Sequence, residues 1–324
     1  MVSLAQVQKK FKDTMHGQDT RLFTYGSNTE GQLGLENSIE KTTCFTEVTQ
    51  VSGMNEEESM RLLKMIEHIA VGRSHIILSS RLFKCVYDHG SATNNRVLAC
   101  GMNNYCQLGI EDQSNKFLLT SVEDSLKEAM QTAKQKLVEE LDNLLTEWEV
   151  SFEASTLMDF SQAKETTKSY VMERLNRKFD LIYSVDFVQC GWFHSIVVVN
   201  SNILLGAGHS YFDQLFGKPN SNTFQCLHSE RMDLLKIDRQ VIEKIDKGEL
   251  IDLFNREKVT HLWCGTFSTT FVTNHVNVYT CGEHIKEATN FKKDFSVFNQ
   301  NYFISKIFHL DTGISIETSR FFVN

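Results

Sequence analysis

The sequence predicts a mainly β repeat domain of propeller-like architecture, with a helical hairpin inserted between two of its units. Three observations support this prediction: a glycine-rich signature recurs along the chain, short β-branched runs of strand length accompany it, and residues 121–180 show helical periodicity. The chain has 324 residues, of which 41% are hydrophobic and 23% are charged. This is the composition of an ordinary globular protein, long enough to form a core without disulfides or metals.

The glycine-rich signature first occurs as YGSNTEGQLG at residues 25–34, at the end of the apolar run RLFTY. The pattern Gly-x-Asn-x-x-Gly-Gln-Leu-Gly returns at 101–109 and more weakly at 208–216. A fourth copy at 277–288 keeps only a strand and one glycine. The signature residues are Gly26, Asn28, Gly31, Gln32, Leu33, Gly34, Gly101, Asn103, Gln107, Leu108, Gly109, Gly208, Gln214, Leu215 and Gly282.

A second element, Gly-x-x-His, lies upstream of three of the signature copies. A decayed copy of this element occupies residues 305–324, and the first signature copy has none before it. Because a residue that recurs once per unit of a repeat is usually architectural, we expect the histidines to support the fold rather than catalysis. The residues of this element are Gly72 and His75, Gly191 and His194, and Gly265 with Ser268 in place of histidine.

Each unit is predicted to contain a β-hairpin. The runs IIL and IVVV that follow the Gly-x-x-His elements have the length and β-branching of strands. A second apolar run follows after a short polar turn, at residues 201–202 in one unit and 274–277 in another, and short turns of this kind join hairpin strands. Radial repetition of such sheets produces a β-propeller.

Together, the GxNxxGQLG signature and the preceding Gly-x-x-His-(Ser/Thr) element resemble the regulator of chromosome condensation (RCC) repeat family. The resemblance covers about half of the chain. It implies a propeller that normally has seven blades, and it implies guanine nucleotide exchange on a Ran-like small GTPase as one function. Family members that exchange nucleotide use loops on one propeller face, and no residues of this chain match those loops.

The spacing of the units departs from that family. The glycines at 26, 101, 208 and 282 are separated by 75, 107 and 74 residues, and about four to five units are recognisable. Three explanations remain open: a smaller ring, blades with decayed motifs, or an open or incomplete propeller whose gap is filled by helices or by another chain. The C-terminal repeat is also expected to pair with the strand at 21–25. Exposed strand edges in an open arc would favour a bound partner.

The extra residues between units are mostly helical in pattern. The segment 121–152 begins with a capping signal at Ser121 and Asp124 and carries one apolar stripe, and 160–179 is a second amphipathic segment. Shorter helices are predicted at 55–66 and 230–254. The predicted organisation is an N-terminal segment (1–20), propeller repeats 1 and 2 (21–120), a helical hairpin insertion (121–180), propeller repeat 3 (181–228), a helical insertion (229–258), and propeller repeats 4 and 5 (259–324).

The sequence offers no catalytic, cofactor-binding or metal-binding constellation. The signature is not a phosphate-binding loop, because such a loop needs a lysine and a Ser or Thr after its last glycine. Cysteines beside the strand-end glycines are expected to be small buried side chains, since no Cys-x-x-Cys pair is present. We therefore predict a protein that is not an enzyme and uses no cofactor. These cysteines are Cys100, Cys190, Cys264 and Cys281.

Charge and hydropathy restrict the partner class. A formal net charge of −8 and a pI near 5.8 make nucleic acid an unfavourable partner, and no apolar run is long enough to span a membrane. Eight cysteines without a secretory signal indicate a reducing intracellular compartment, cytoplasmic or nuclear. The helical spacing of Leu4, Val7, Phe11 and Met15 leaves a mitochondrial location open.

These observations predict a non-catalytic protein–protein interaction module, a structural or accessory subunit of a larger assembly. The alternative is the exchange factor for a Ran-like small GTPase that the family resemblance implies. Trp148, near the end of the helical stripe, has two interpretations: it anchors a partner at the surface, or it packs on the propeller.

Overall fold

Antiparallel sheets built from consecutive strands make up most of the computed structural model. The structure describes residues 21–82, 94–150, 157–179, 183–227, 233–235, 237–246, 257–275, 277–282, 302–310 and 313–320. The predicted N-terminal segment lies outside these residues. The strands are β1 (Phe23–Ser27), β2 (Lys41–Glu47), β3 (Ile66–Val71), β4 (His75–Leu82), β5 (Asn94–Gly101), β6 (Lys116–Ser121), β7 (Val185–Cys190), β8 (His194–Val199), β9 (Ile203–Gly208), β10 (Ser221–Cys226), β11 (Val259–Cys264), β12 (Ser268–Thr273), β13 (Val278–Gly282), β14 (Tyr302–Leu310) and β15 (Gly313–Arg320).

The sheets follow the chain as successive meanders, which we call blades. Blade 1 is β1–β2, blade 2 is β3-β4-β5-β6, blade 3 is β7-β8-β9-β10, and blade 4 is β11-β12-β13. The first strands of neighbouring blades lie against each other, β3 against β7 and β7 against β11. The chain is therefore a mainly β, propeller-like repeat domain with a helical insertion, as predicted.

The two hairpins predicted from short polar turns are present. Val199 pairs with Ile203 across the turn at 201–202, and Val272 pairs with Val278 across the other turn. Strand β8 is buried along its whole length, which explains its uninterrupted apolar run.

The expected pairing between the C-terminal repeat and the strand at 21–25 is not formed among the described strands. Strand β1 pairs with β2, and β14 pairs with β15 in a separate two-stranded sheet. The register of β14 and β15 runs from the pair Tyr302 and Arg320 to the pair Leu310 and Gly313. A closing strand pair was therefore a wrong expectation for the described part of the chain.

Four helices are described: α1 (Glu56–Leu63), α2 (Glu123–Val150), α3 (Leu157–Lys178) and α4 (Arg239–Asp246). The predictions for 55–66, 121–152 and 160–179 agree with α1, α2 and α3. Of the predicted helical segment 230–254, the described part holds a short 3-10 turn (Asp233–Leu235) and α4, and the rest lies outside the described residues. Asn55 caps α1, where its side chain accepts from the Glu58 amide and the Glu58 carboxylate accepts from the Asn55 amide.

The predicted capping box of α2 is not formed. Ser121 is the last residue of β6, and its hydroxyl accepts from the amide of Glu123 at 3.4 Å, two residues on rather than three. The helix therefore starts directly from the strand, and its first helical hydrogen bond joins the Leu126 amide to the Val122 carbonyl.

The helical hairpin packs on the propeller. The predicted stripe of α2 is buried, with the small change that Leu145 is fully buried and Leu144 only partly so. Trp148 is 5% exposed and belongs to this core, so its indole offers no anchor at the surface. The surface interpretation of Trp148 is thus corrected in favour of packing, because the apolar stripe of α2 extends to its last turn.

Helix α2 also covers the outer edge of blade 3. It lies against β10, and the amide of Phe224 donates to the Ser125 hydroxyl at 2.7 Å. The outer edge of blade 2 is covered in another way, since Val51 bridges to Leu119 and the Ser52 amide donates to the Leu119 carbonyl. Covered edges of this kind prevent pairing with other chains.

Candidate interaction surface

The asparagine of the signature organises its own loop. The amide oxygen of Asn28 accepts from the Leu33 amide at 3.0 Å, and its nitrogen lies 3.3 Å from the Leu35 carbonyl and 2.9 Å from the Ile39 carbonyl. Asn103 repeats this arrangement with the Leu108 amide and the Ile110 carbonyl. The side chain therefore takes the place of backbone partners that a loop lacks.

The glutamine of the signature closes the same loop from the other side. The side-chain oxygens of Gln32, Gln107 and Gln214 each accept from the amide two residues before them, at 2.9, 3.0 and 3.0 Å. The leucine that follows each glutamine, Leu33, Leu108 and Leu215, is buried in the core. The signature thus fixes both the shape of the loop and its attachment to the blade.

Glycines occupy positions with left-handed backbone. Gly101 has a φ of 110°, and a Cβ built there would lie 2.3 Å from the Ser74 carbonyl oxygen. Gly208 and Gly282 are in similar positions, with φ of 105° and 123°. Gly31, Gly34 and Gly109 also have positive φ. In the weaker third copy, Asp213 and Phe216 adopt φ of 67° and 54°, so the loop keeps its shape after the glycines are lost.

Each repeat histidine links its blade to the next. His75 Nε2 lies 2.9 Å from the Ser195 hydroxyl of blade 3, which in turn donates to the Gln107 carbonyl of blade 2 at 2.6 Å. Because the hydroxyl has one proton and gives it to that carbonyl, the imidazole is the donor to Ser195. His75 is fully buried, and burial lowers its pKa to about 4.

The same link recurs between blades 3 and 4. His194 Nε2 lies 3.0 Å from the Thr269 hydroxyl, which donates to the Gln214 carbonyl at 2.8 Å. The residue after the histidine position, Ser195 in blade 3 and Thr269 in blade 4, is therefore the acceptor for the histidine of the preceding blade. Buried imidazoles with these partners suit an architectural role.

The glycine of the Gly-x-x-His element allows this close approach. A Cβ on Gly72 would lie 2.4 Å from Cε1 of His75 and 2.5 Å from the Gly191 carbonyl oxygen. A Cβ on Gly191 would lie 2.0 Å from Cε1 of His194 and 2.7 Å from the Gly265 carbonyl oxygen. Turns of three neighbouring blades are thereby packed side by side.

The two residues between glycine and histidine consequently gather on one face of the molecule. They are Arg73 and Ser74 in blade 2, Trp192 and Phe193 in blade 3, and Thr266 and Phe267 in blade 4. The Trp192 amide donates to the Thr266 carbonyl, which joins two of these turns directly. We call the aromatic members, the rings they contact in the adjoining signature loops, and Arg73 the aromatic patch. Its residues are Arg73, Tyr105, Trp192, Phe193, His209, Tyr211, Phe212 and Phe267.

The rings of the patch form one continuous network. Phe267 lies 5.9 Å from Phe193 and 4.7 Å from Phe212, measured between ring centroids. Tyr105 lies 4.6 Å from Phe193, and further contacts extend the network to the other members. These distances are those of favourable aromatic pairs, so the rings hold one another in place.

Several patch side chains face solvent. Trp192, Tyr105 and Tyr211 are 37, 45 and 78% exposed. The guanidinium carbon of Arg73, an exposed residue, lies 4.6 Å from the Trp192 ring centroid and 5.6 Å from that of Phe193. An exposed cluster of large aromatic residues with an arginine has the composition of binding hot spots.

Sequence reasoning did not find this patch. Its members occupy the variable positions of the two repeat elements, where the residue type differs from one copy to the next. One feature of the sequence could have revealed the patch: aromatic residues are concentrated at these variable positions in successive copies. Examples are Trp192-Phe193, Tyr211-Phe212 and Phe267.

The cysteines are placed as expected for small buried side chains, with Cys264 partly buried. Burial raises the pKa of the Cys100 and Cys190 thiols to about 12. Within the described residues, no group of three or more His, Cys, Asp or Glu side chains is arranged to hold a metal ion. None of the described helices is both long and apolar enough to cross a membrane.

Comparison with known proteins finds similarity in structure alone. No protein-family model matches the chain, and no curated protein sequence matches it significantly. The yeast RCC1 protein Prp20, in its crystal structure bound to Kap60, is 11% identical with a TM-score of 0.46, covering 94% of this chain and 51% of that one. Human WBSCR16 is 13% identical with a TM-score of 0.38, covering 82% of this chain and 60% of that one.

A second Prp20p structure from Saccharomyces cerevisiae, described with its binding to Gsp1p and histones, is 12% identical with a TM-score of 0.38. The match covers 87% of this chain and 44% of that one. The chain thus spans about half the length of these solved proteins. Its propeller-like architecture rests on the strand order of its own blades.

Proposed function

We propose that this chain is a non-catalytic protein-binding module, an accessory subunit of a larger assembly, and that it engages its partner through the aromatic patch. The observation that carries the proposal is the exposure of Trp192, Tyr105 and Tyr211 on turns contributed by neighbouring blades. The underlying turns are held by buried links and close glycine contacts, so a partner would meet a surface that is already ordered. Such preorganisation lowers the entropy lost on binding.

The free thiols are consistent with a reducing compartment for this assembly. None of the described cysteines forms a disulfide, and Cys100, Cys190 and Cys281 are buried. We propose a cytoplasmic or nuclear location, which these free thiols and the sequence resemblance to the RCC family support.

The test is affinity purification of a tagged chain at native expression level, with mass spectrometry of the proteins that co-elute. The comparison is a double variant, Trp192→Ala with Tyr211→Ala, which truncates two exposed rings. Phe45→Ala is the matched control, because Phe45 is an aromatic residue of β2 that is 50% exposed and contacts Tyr25 rather than the patch.

We expect a stoichiometric set of partners that is retained by the Phe45→Ala chain and lost by the double variant. Equal recovery by all three chains would contradict the patch as the binding surface. Recovery of a small GTPase that is released by added GDP or GTP would instead favour the exchange factor that the RCC resemblance implies.

A further inference from the structure

We infer that the aromatic patch recognises an acidic linear segment of its partner, in which an Asp or Glu carboxylate meets Arg73 and a neighbouring apolar side chain meets the exposed rings. This inference rests on the proposed function and adds the chemistry of the partner to it. It depends on three features of the patch: the state of Arg73, the distribution of charge around it, and the shape of the ring network.

Arg73 is exposed, and its described contacts are with aromatic rings rather than with an acid. The guanidinium lies over Trp192 at 4.6 Å and beside Phe193 at 5.6 Å, and no carboxylate of the described residues forms an ion pair with it. The five N–H donors of a guanidinium lie in one plane, and a contact with an aromatic ring face leaves them able to donate to another group. Arg73 is therefore held ready for a planar, bidentate acceptor such as a carboxylate.

The charge of the patch contrasts with that of the chain. The chain carries 41 acidic and 33 basic residues, yet the eight patch residues include no acid. The nearest acid in sequence, Asp213, uses one carboxylate oxygen to accept from the Gly217 amide within its own loop. Burial lowers the pKa of His209, which leaves Arg73 as the charged member of the patch at neutral pH.

Charge complementarity therefore favours an acidic partner at this face. A basic segment would be repelled by Arg73 and attracted to other parts of the acidic surface, whereas an acidic segment would be directed to the patch and repelled elsewhere. Single-stranded nucleic acid could stack on the rings, but a chain with net charge −8 disfavours a polyphosphate backbone, and the experiment below includes it as an outcome.

The ring network provides the apolar half of the site. Trp192 lies 5.7 Å from Phe267, and Tyr211 lies 5.1 Å from Phe212, so exposed rings continue on either side of Phe193 and Phe267. A short segment with an aromatic or aliphatic residue next to its acid can thus contact Arg73 and the rings at once. Segments of this kind need no folded partner domain.

The experiment begins with selection of a displayed library of random 12-residue peptides on the full chain. The two most enriched peptides are then synthesised, and their affinities are measured by fluorescence anisotropy for the wild type and for Arg73→Ala, Arg73→Lys, Arg73→Glu and Trp192→Ala. Arg73 is exposed, so these variants are expected to fold, which circular dichroism verifies. A single-stranded DNA of the same length labelled in the same way serves as the competing ligand class.

We expect the selected peptides to contain Asp or Glu next to an aromatic or aliphatic residue. Arg73→Ala should weaken binding about ten-fold or more, Arg73→Glu should weaken it further, and Arg73→Lys should retain part of it, because lysine keeps the charge but loses the planar geometry. Trp192→Ala should also weaken binding, since it removes both a contact ring and the support of Arg73.

The inference would be overturned by selected peptides without acidic residues, by affinities unaffected by Arg73→Glu, or by tighter binding of the DNA than of any peptide. Peptides that depend on Trp192 but not on Arg73 would leave the patch as a protein-binding surface and remove only its preference for acids. Failure to select any peptide would refute a linear segment, while the purification described above would still decide whether the patch binds a protein.

Discussion

At the scale of single residues, backbone conformation determines which signature positions need glycine. Gly26 and Gly101 have nearly the same φ, 118° and 110°, but different surroundings. A Cβ on Gly101 would lie 2.3 Å from the Ser74 carbonyl oxygen, whereas nothing lies within 4 Å of a Cβ on Gly26. Substitution of Gly26 therefore tests backbone strain alone, whereas substitution of Gly101 tests backbone strain and steric collision together.

We expect Gly26→Ala to lower the free energy of unfolding by about 1–3 kcal/mol, the cost of a strained backbone alone. Gly101→Ala should lower it by at least about 2 kcal/mol more, because the turn that holds Ser74 must also move. Urea titrations followed by circular dichroism measure both values. Equal losses for the two variants would show that the collision with the Ser74 carbonyl is relieved without cost.

At the scale of elements, the links between blades make stability depend on pH. His75 is neutral when folded, with its pKa lowered by burial to about 4, and the Ser195 hydroxyl that it contacts is also neutral. The unfolded chain binds a proton at this histidine below about pH 6.5 and the folded chain does not, so stability falls as the pH drops from about 6.5 towards 4.

Between pH 7 and pH 5, His75 should account for a loss of about 2 kcal/mol in the free energy of unfolding. His75→Gln keeps a hydrogen-bond donor but cannot be protonated, so its urea midpoint should fall less over this interval than that of the wild type. The difference between the two chains isolates His75 from other titrating groups. Parallel pH profiles would rule out the buried neutral histidine.

Elements were predictable where local pattern determines them. The β-branched and apolar runs predicted β4 and β8, and the apolar stripe predicted α2, because burial shapes these local patterns. The start of α2 was mispredicted because β6 continues to Ser121, which a local capping signal does not reveal. The partner of His75 was also beyond local reasoning, since Ser195 is 120 residues further along the chain.

At the scale of the whole molecule, tertiary packing gives Trp148 and Trp192 different environments, a difference that the sequence alone did not predict. Trp148 occupies a regular helical stripe and joins the core, whereas Trp192 occupies a variable repeat position and faces solvent. The candidate surface could not be predicted from spacing alone, because it exists only when the turns of neighbouring blades are brought side by side. The signature residues that were predicted build the scaffold beneath it.

The different environments of Trp148 and Trp192 give the last prediction. Trp148→Ala should lower the free energy of unfolding by about 3–5 kcal/mol, because it removes a large buried side chain from the main hydrophobic core. Trp192→Ala should change stability by less than about 1.5 kcal/mol, the scale of its contacts with Phe193, Phe267 and Arg73. The same two chains are compared in urea unfolding and in the partner purification. Trp192→Ala should be stable and lose its partner, so a Trp192→Ala chain as unstable as Trp148→Ala would place its indole in the scaffold rather than at the binding surface.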